Sequence, residues 1–171
     1  MKNLPLRFGI RPRGYTLIHL LIVLAVIAIF AAMAMPLFGA NVARQQILNS
    51  QALIDIAKNG VAVFYGKQAA LPASNSVANL PAADKLIGNY VSSVEVNGGV
   101  ITVTFGNNSH ASITGKHLTI RPTVRQDKTG GIVWICAGKP VPLGSDVAGT
   151  NATDIPTAIL PIDKNAGLEC R

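Results

Sequence analysis

The fold of this chain is decided by one apolar stretch near its N-terminus, residues 15–38, with the sequence YTLIHLLIVLAVIAIFAAMAMPLF. From Leu20 to Phe38 there is no charged residue and no amide, hydroxyl or imidazole side chain. At about 1.5 Å rise per residue this part alone forms a helix roughly 28 Å long, close to the roughly 30 Å of a bilayer core. The stretch therefore predicts one helix that contacts lipid or a partner protein.

Basic residues cluster immediately before this stretch. Four of the 15 Lys and Arg residues lie within residues 1–14, and without them 11 basic residues face 8 acidic ones, which lowers the net charge from +7 to +3. Positive charge before a membrane span holds that end in the cytoplasm. We therefore interpret residues 1–14 as a leader outside the fold and expect the body of the protein on the far side of the membrane.

The helix is predicted to continue beyond the apolar stretch, through residues 39–66. Ile47, Ile54, Val61 and Phe64 recur there at helical spacing, with charged and amide side chains between them. Such an amphipathic half should pack its apolar stripe on a globular body. Pro36 predicts a kink where the two halves meet, and Gly66 predicts the end of the helix.

The remainder of the chain predicts a loop and then a sheet. Residues 67–93 are rich in Ala, Ser, Asn and Pro, which is typical of a connecting loop. From residue 94 onward, β-branched residues alternate with polar ones around turn signals. Four strands are predicted, at residues 94–96, 100–105, 117–121 and 131–136. The predicted fold class is α+β, with a long N-terminal helix on a four-stranded antiparallel sheet within residues 94–171.

Two cysteines, Cys136 and Cys170, lie on the side of the span that we expect to be exported. Oxidation is permitted there, so we expect a disulfide that bounds a C-terminal loop region. Two free thiols or a metal-binding pair remain as the alternative.

The N-terminal residues also carry a family resemblance. The run Arg13-Gly14-Tyr15-Thr16-Leu17-Ile18-His19-Leu20-Leu21-Ile22-Val23, with Pro36 downstream, resembles the start of type IV pilins, which the pseudopilins of secretion systems share. The resemblance implies that a prepilin peptidase cuts after Gly14 and that the new N-terminus, Tyr15, is methylated. It also implies a structural subunit held in the bacterial inner membrane and polymerised by assembly machinery, with like or other pilin subunits, into an extracellular fibre for adhesion, motility or DNA uptake.

The C-terminal half resembles the major-pilin branch of that family. A last strand ends in Trp134-Ile135-Cys136, and Leu160-Pro161 stands shortly before Cys170. One departure concerns assembly, because His19 occupies the position where the family usually carries a glutamate that pairs with the terminal amine of a neighbouring subunit. A neutral imidazole accepts a hydrogen bond but cannot neutralise a cation at pH 7.

Three alternatives to a structural pilin follow from the sequence. A secretory signal peptidase could cut after Ala34, so that the chain begins at Met35. The chain could instead be a secretion pseudopilin. It could also be a minor pilin that binds an adhesion target or DNA, for which the candidate contacts are Lys116, Arg121, Arg125 and Lys128.

The sequence offers no catalytic arrangement. No nucleophile, base and orienting acid occur in a recognisable pattern, and no glycine-rich phosphate loop follows a predicted strand. His110 and His117 lack the spacing of metal ligands, and Asp146, Asp154 and Asp163 are too irregularly spaced for a calcium loop. We therefore predict neither an enzyme nor a cofactor or metal site.

Overall fold

A computed structural model describes residues 13–126, 130–137 and 139–160, without the side chains of residues 13–15 and 34–38. The chain divides into two units, with the boundary between Phe38 and Gly39. The described part of the first unit is the apolar portion of helix α1, which runs from Arg13 to Asn49. The second unit holds the end of α1, helix α2 from Gln51 to Gln68, and one antiparallel sheet. The α+β class is confirmed.

Ser50 separates the two helices, where the sequence predicted a single continuous one. Its hydroxyl donates to the Ile47 carbonyl at 2.6 Å, and its backbone N–H donates to the same carbonyl at 3.1 Å. A serine hydroxyl that bonds back to the preceding turn competes with the regular helical ladder. This local competition interrupts the helix for one residue, after which α2 begins.

Helix α2 ends at Gln68, two residues beyond the predicted end at Gly66. The left-handed residue that closes it is Ala69, with φ of 50°, whose N–H donates to the Tyr65 carbonyl at 2.8 Å. A C-terminal cap of this kind more often uses glycine, which is why the helix was predicted to end at Gly66.

The sheet has five strands rather than the predicted four. They are β1 (Val91–Asn97), β2 (Val100–Phe105), β3 (His117–Arg125), β4 (Val133–Cys136) and β5 (Ser145–Val147). The order is β1-β2-β3-β4, with all pairs antiparallel, and β5 pairs with β3. The prediction of four strands was wrong because β5, only three residues long, lies in a segment rich in Pro and Gly that we assigned to loop.

Strand β3 accommodates β5 because it continues through Pro122. Pairing with β2 stops at Ile120, and pairing with β5 starts at Thr123. The Pro122 carbonyl accepts the Ala148 N–H at 3.0 Å, and the N and O of one strand residue face the same edge. The Pro122 nitrogen, which has no hydrogen to donate, therefore lies at a position between the β2 and β5 pairings where neither strand needs a donor. This is why a proline is tolerated inside a central strand.

The apolar stripe of the helices forms the core with the sheet. Ile47, Ile54 and Val61 are fully buried, as their spacing predicted, together with Ala43 and Ala57. They belong to one cluster with inward-facing side chains of the first three strands, namely Val94, Val96, Ile101, Val103, Leu118 and Ile120. The fourth member of the predicted stripe, Phe64, is only half-buried.

The loop before the sheet protects the outer edge of β1 through one side chain, that of Asn75. Its Nδ2 donates to the Val94 carbonyl at 2.9 Å, and its Oδ1 accepts the Val96 N–H at 2.6 Å. A side-chain amide thus replaces a neighbouring strand at an edge that would otherwise present unpaired backbone groups.

Candidate assembly site

The apolar half of α1 is exposed over its whole circumference. No residue of the Thr16–Met33 window is buried, and this is the one helix among the described residues that is long and apolar enough to cross a membrane. Its large side chains are 41–68% exposed in the isolated chain. They are Leu17, Ile18, Leu20, Leu21, Ile22, Val23, Leu24, Val26, Ile27, Ile29, Phe30 and Met33. A helix that is apolar all round has no water-facing side, so it requires lipid or other helices as its surroundings.

The predicted processing site lies at the beginning of this surface. The Gly14–Tyr15 peptide bond falls in the first turn of α1, just before the Thr16–Met33 window. His19 is exposed and lies four residues after Tyr15, so the two positions share one face of the helix. The helix thus places the predicted new N-terminal residue and His19 one turn apart.

Pro36 lies within α1, which continues on both sides of it. A proline in a helix removes the hydrogen bond to the carbonyl four residues earlier and crowds the preceding turn. The side chains around it are not described, so the kink at Pro36 stays a prediction.

Two loops of the second unit hold the last part of α1, and neither contact was predictable from a local sequence pattern. The Gln46 side-chain oxygen accepts the His110 N–H at 2.7 Å. The His110 ring lies beside Gly39, where a Cβ would stand 3.5 Å from ring Cε1. Arg44 donates to the Ala158 carbonyl at 2.9 Å. These contacts fix residues 39–49 to the globular unit.

The described candidate DNA contacts, Lys116, Arg121 and Arg125, are spread along the length of β3. Lys116 immediately precedes β3 and Arg125 is its last residue, so nine steps along the strand place them roughly 30 Å apart. Arg121 is half-buried and donates to the Ala137 carbonyl at 3.3 Å, while Lys116 reaches the Asp154 carbonyl at 3.5 Å. Lys128 lies outside the described residues. The cations of β3 are thus engaged within the fold or widely spaced.

His117 pairs with an acidic side chain, that of Asp154. Its ring Nδ1 lies 3.2 Å from Asp154 Oδ2, and its backbone N–H donates to Oδ1 of the same carboxylate. Partial burial by itself would raise the pKa of Asp154, but the hydrogen bonds and charge of His117 outweigh it and lower that pKa. In the described part of the chain no three His, Cys, Asp or Glu side chains are grouped for a metal ion, and Asp163 lies beyond it.

Of the predicted disulfide, the structure describes one partner. Cys136 ends β4 and is fully buried, with its position paired to Ile120 of β3. Cys170 lies outside the described residues, so the pairing stays a prediction.

Comparisons with known proteins converge on one family. A family profile described as Pilin (bacterial filament) matches residues 43–163, and a profile for the prokaryotic N-terminal methylation motif matches residues 11–35. The first of these ranges is well over half of the chain.

Individual relatives are similar over most of their length. A fimbrial protein of Neisseria meningitidis serogroup A is 37% identical over 81% of this chain and 79% of its own. The type IV major pilin protein PilE of Neisseria gonorrhoeae is 35% identical over 75% of both chains. The fimbrial protein EcpC of Eikenella corrodens is 35% identical over 73% of this chain and 82% of its own.

Proposed function

Since this chain belongs to the type IV pilin family, we propose that it is made as a precursor, cleaved after Gly14 and polymerised through α1 as a structural subunit of a pilus. The single observation that carries the proposal is the wholly exposed apolar surface of the Thr16–Met33 window. Before assembly, while the subunit is in the membrane, lipid covers this surface. In the fibre the same side chains pack among the helices of neighbouring subunits.

The energetics of this exchange explain why assembly requires a machine. Burying apolar area from water gains roughly 25 cal/mol per Å². Lipid tails are as apolar as leucine, so a helix that leaves the bilayer for a fibre gains far less than this. Assembly machinery that extracts the subunit from the membrane is therefore part of the proposal, and the finished fibre is stable because its alternative is exposure to water.

Cleavage at Gly14 suits this role because it spares the helix. The cut lies outside the apolar window, so the product keeps the whole assembly surface. A secretory cut after Ala34 would remove it. We propose that the prepilin peptidase and methyltransferase act on Gly14 and Tyr15, with the basic leader in the cytoplasm and the second unit in the periplasm before assembly.

The cysteine pair is proposed to close the C-terminal region. Leu160 is buried in the core, and ten residues of extended chain from there to Cys170 reach roughly 33 Å. A bond from Cys170 to Cys136 would stabilise the fold by roughly 4 kcal/mol in the loop-entropy model. Intact-mass analysis after alkylation tests it, because two alkylated thiols in exported protein would contradict the bond.

The deciding experiment is mass spectrometry of the N-terminal peptide in sheared surface fibres. A peptide that begins at methylated Tyr15, in the dominant fibre protein, is the expected result. A chain beginning at Met35 would overturn the proposal in favour of a secreted protein. Deletion of the chain adds a second test, because loss of protein export with intact surface fibres would identify a pseudopilin instead.

A further inference from the structure

The β1–β2 hairpin presents a chemically reactive dipeptide at its tip. The sequence contains two Asn-Gly dipeptides, Asn59-Gly60 and Asn97-Gly98. In such a pair the backbone nitrogen of glycine can attack the asparagine side-chain carbonyl, because no Cβ hinders the approach. Asparagine is a thermolabile residue for reasons of this kind. The two dipeptides have identical chemistry and very different surroundings, so the fold decides which of them reacts.

At the hairpin tip, the reacting groups are accessible. Asn97 and Gly98 are both exposed, and a Cβ built on Gly98 would meet no atom within 4 Å. Gly98 and Gly99 have φ of 57° and 80°, and residues 98 and 99 form a two-residue connection between the strands. The Gly98 N–H has no hydrogen-bond acceptor among the described residues. The attacking nitrogen is therefore available without loss of an existing bond.

The other dipeptide is protected by its helix. Asn59 and Gly60 lie in the middle of α2, where each backbone N–H is engaged with the carbonyl four residues earlier. A Cβ on Gly60 would stand 2.9 Å from Leu80 and 3.0 Å from the Ala78 carbonyl, so the backbone there is closely packed. Ring closure at Asn59 requires rotation of this backbone, which means opening α2. Opening the hairpin tip requires release of the terminal Asn97–Val100 pair and of the Gly99 N–H from the Pro72 carbonyl, 2.8 Å away, but leaves the rest of both strands paired.

We propose that Asn97 is a site of spontaneous deamidation in this protein. The Gly98 nitrogen loses its proton and bonds to Asn97 Cγ, the Cγ–Nδ2 bond breaks, and the released NH2 group takes up a proton and leaves as ammonia, giving a cyclic imide. Water then opens the imide to aspartate or isoaspartate. One water is consumed, one ammonia is released, and no group is oxidised or reduced. The product carries a new negative charge at an exposed hairpin tip. This inference is independent of the proposed function.

Peptide mapping of the full-length chain in detergent, incubated at mildly alkaline pH, tests the proposal. In the folded protein we expect aspartate and isoaspartate to accumulate at position 97 at a rate at least about tenfold above that at position 59. In the denatured chain the two sites should react at similar rates, which isolates the contribution of the fold. Equal rates in the folded protein, or an intact Asn97 after the denatured chain has reacted, would overturn the proposal.

A matched variant tests the identity of the attacking nitrogen. Gly98→His introduces a residue type that is enriched in the left-handed backbone conformation, adds a side chain beside the nitrogen and creates no second Asn-Gly pair. Circular dichroism establishes that it folds, and its position 97 should deamidate several-fold more slowly than in the parent chain. An unchanged rate at position 97 in the folded variant would contradict attack by this nitrogen.

Discussion

One carboxylate oxygen of Asp154 accepts a hydrogen bond from the backbone N–H of His117, and the other oxygen lies 3.2 Å from the His117 ring Nδ1. The Asp154 N–H returns a bond to the His117 carbonyl at 3.2 Å, and Thr153 accepts the Thr119 N–H at 2.9 Å. Residues 153 and 154 thus continue the edge of β3 beyond the end of β4. Side-chain oxygens here replace part of a strand, and the C-terminal segment is attached to the sheet through them.

Replacing Asp154 by asparagine should destabilise the protein at neutral pH by up to about 1 kcal/mol, because both partners are half-exposed and solvent screens the pair. The folded pKa of Asp154 is lowered from 3.8, so its contribution is present above that value and is lost as pH falls through the folded pKa. Denaturant unfolding at several pH values measures this. The difference between parent and variant should shrink in acid.

Asp84→Asn is the matched control, since Asp84 is largely exposed and lies 3.8 Å from Lys85. Its effect on the free energy of unfolding should be negligible at every pH. An Asp154→Asn difference that persists unchanged at low pH would contradict an ionic role for this pair.

Replacing Asn75 by alanine should cost roughly 1–3 kcal/mol, because it leaves the Val96 N–H and the Val94 carbonyl without their partner at a buried edge. Thermal unfolding followed by circular dichroism measures the loss. Ser76→Ala is the control in the same loop, since Ser76 is exposed and its hydroxyl bonds to that of Ser74. Equal stability of the two variants would show that β1 does not depend on the Asn75 amide.

Helix α2 contains two isoleucines with different burial, so the same substitution at both positions measures the effect of packing alone. Ile54 is fully buried and Ile56 is 47% exposed. We expect Ile54→Ala to destabilise by roughly 2–5 kcal/mol through lost burial and a cavity, and Ile56→Ala by far less. Denaturant unfolding of the two variants compares them directly, and similar losses would contradict the orientation of α2 on the sheet.

A comparison of the predicted and observed structures shows which features depend on local sequence and which depend on distant partners. The assembly helix was predictable because its apolar character is local and needs no partner within the chain. Ile47, Ile54 and Val61 were predictable because their spacing alone places them on one face. Asn75 was not, since its partners lie 19 and 21 residues away. Strand β5 was not predictable either, because it forms only by pairing with the part of β3 that follows Pro122, beyond the end of β2.

A charge in the centre of the assembly helix should abolish fibres. Leu24 lies near the middle of the Thr16–Met33 window and is 54% exposed. A lysine there costs roughly 2.5–3.5 kcal/mol at the centre of a bilayer and would also be buried among helices in a fibre. Quantifying the protein in membranes and in sheared fibres tests this, with Leu24→Ala as an apolar control. Wild-type fibre yield for Leu24→Lys would contradict the assembly surface.

His19 offers the most direct test of how subunits dock. After cleavage the Tyr15 amine would be a cation beside an apolar surface, and a charge that is buried without a partner costs several kcal/mol. A carboxylate can neutralise it, whereas an imidazole carries no negative charge and can at most accept a hydrogen bond from it. We therefore expect His19→Glu to raise fibre yield several-fold in shearing assays, while His19→Gln, which is uncharged, leaves it near the parent level. Equal yields for the two variants would mean that the terminal amine finds its counter-charge elsewhere, and that this position contributes to docking through shape rather than charge.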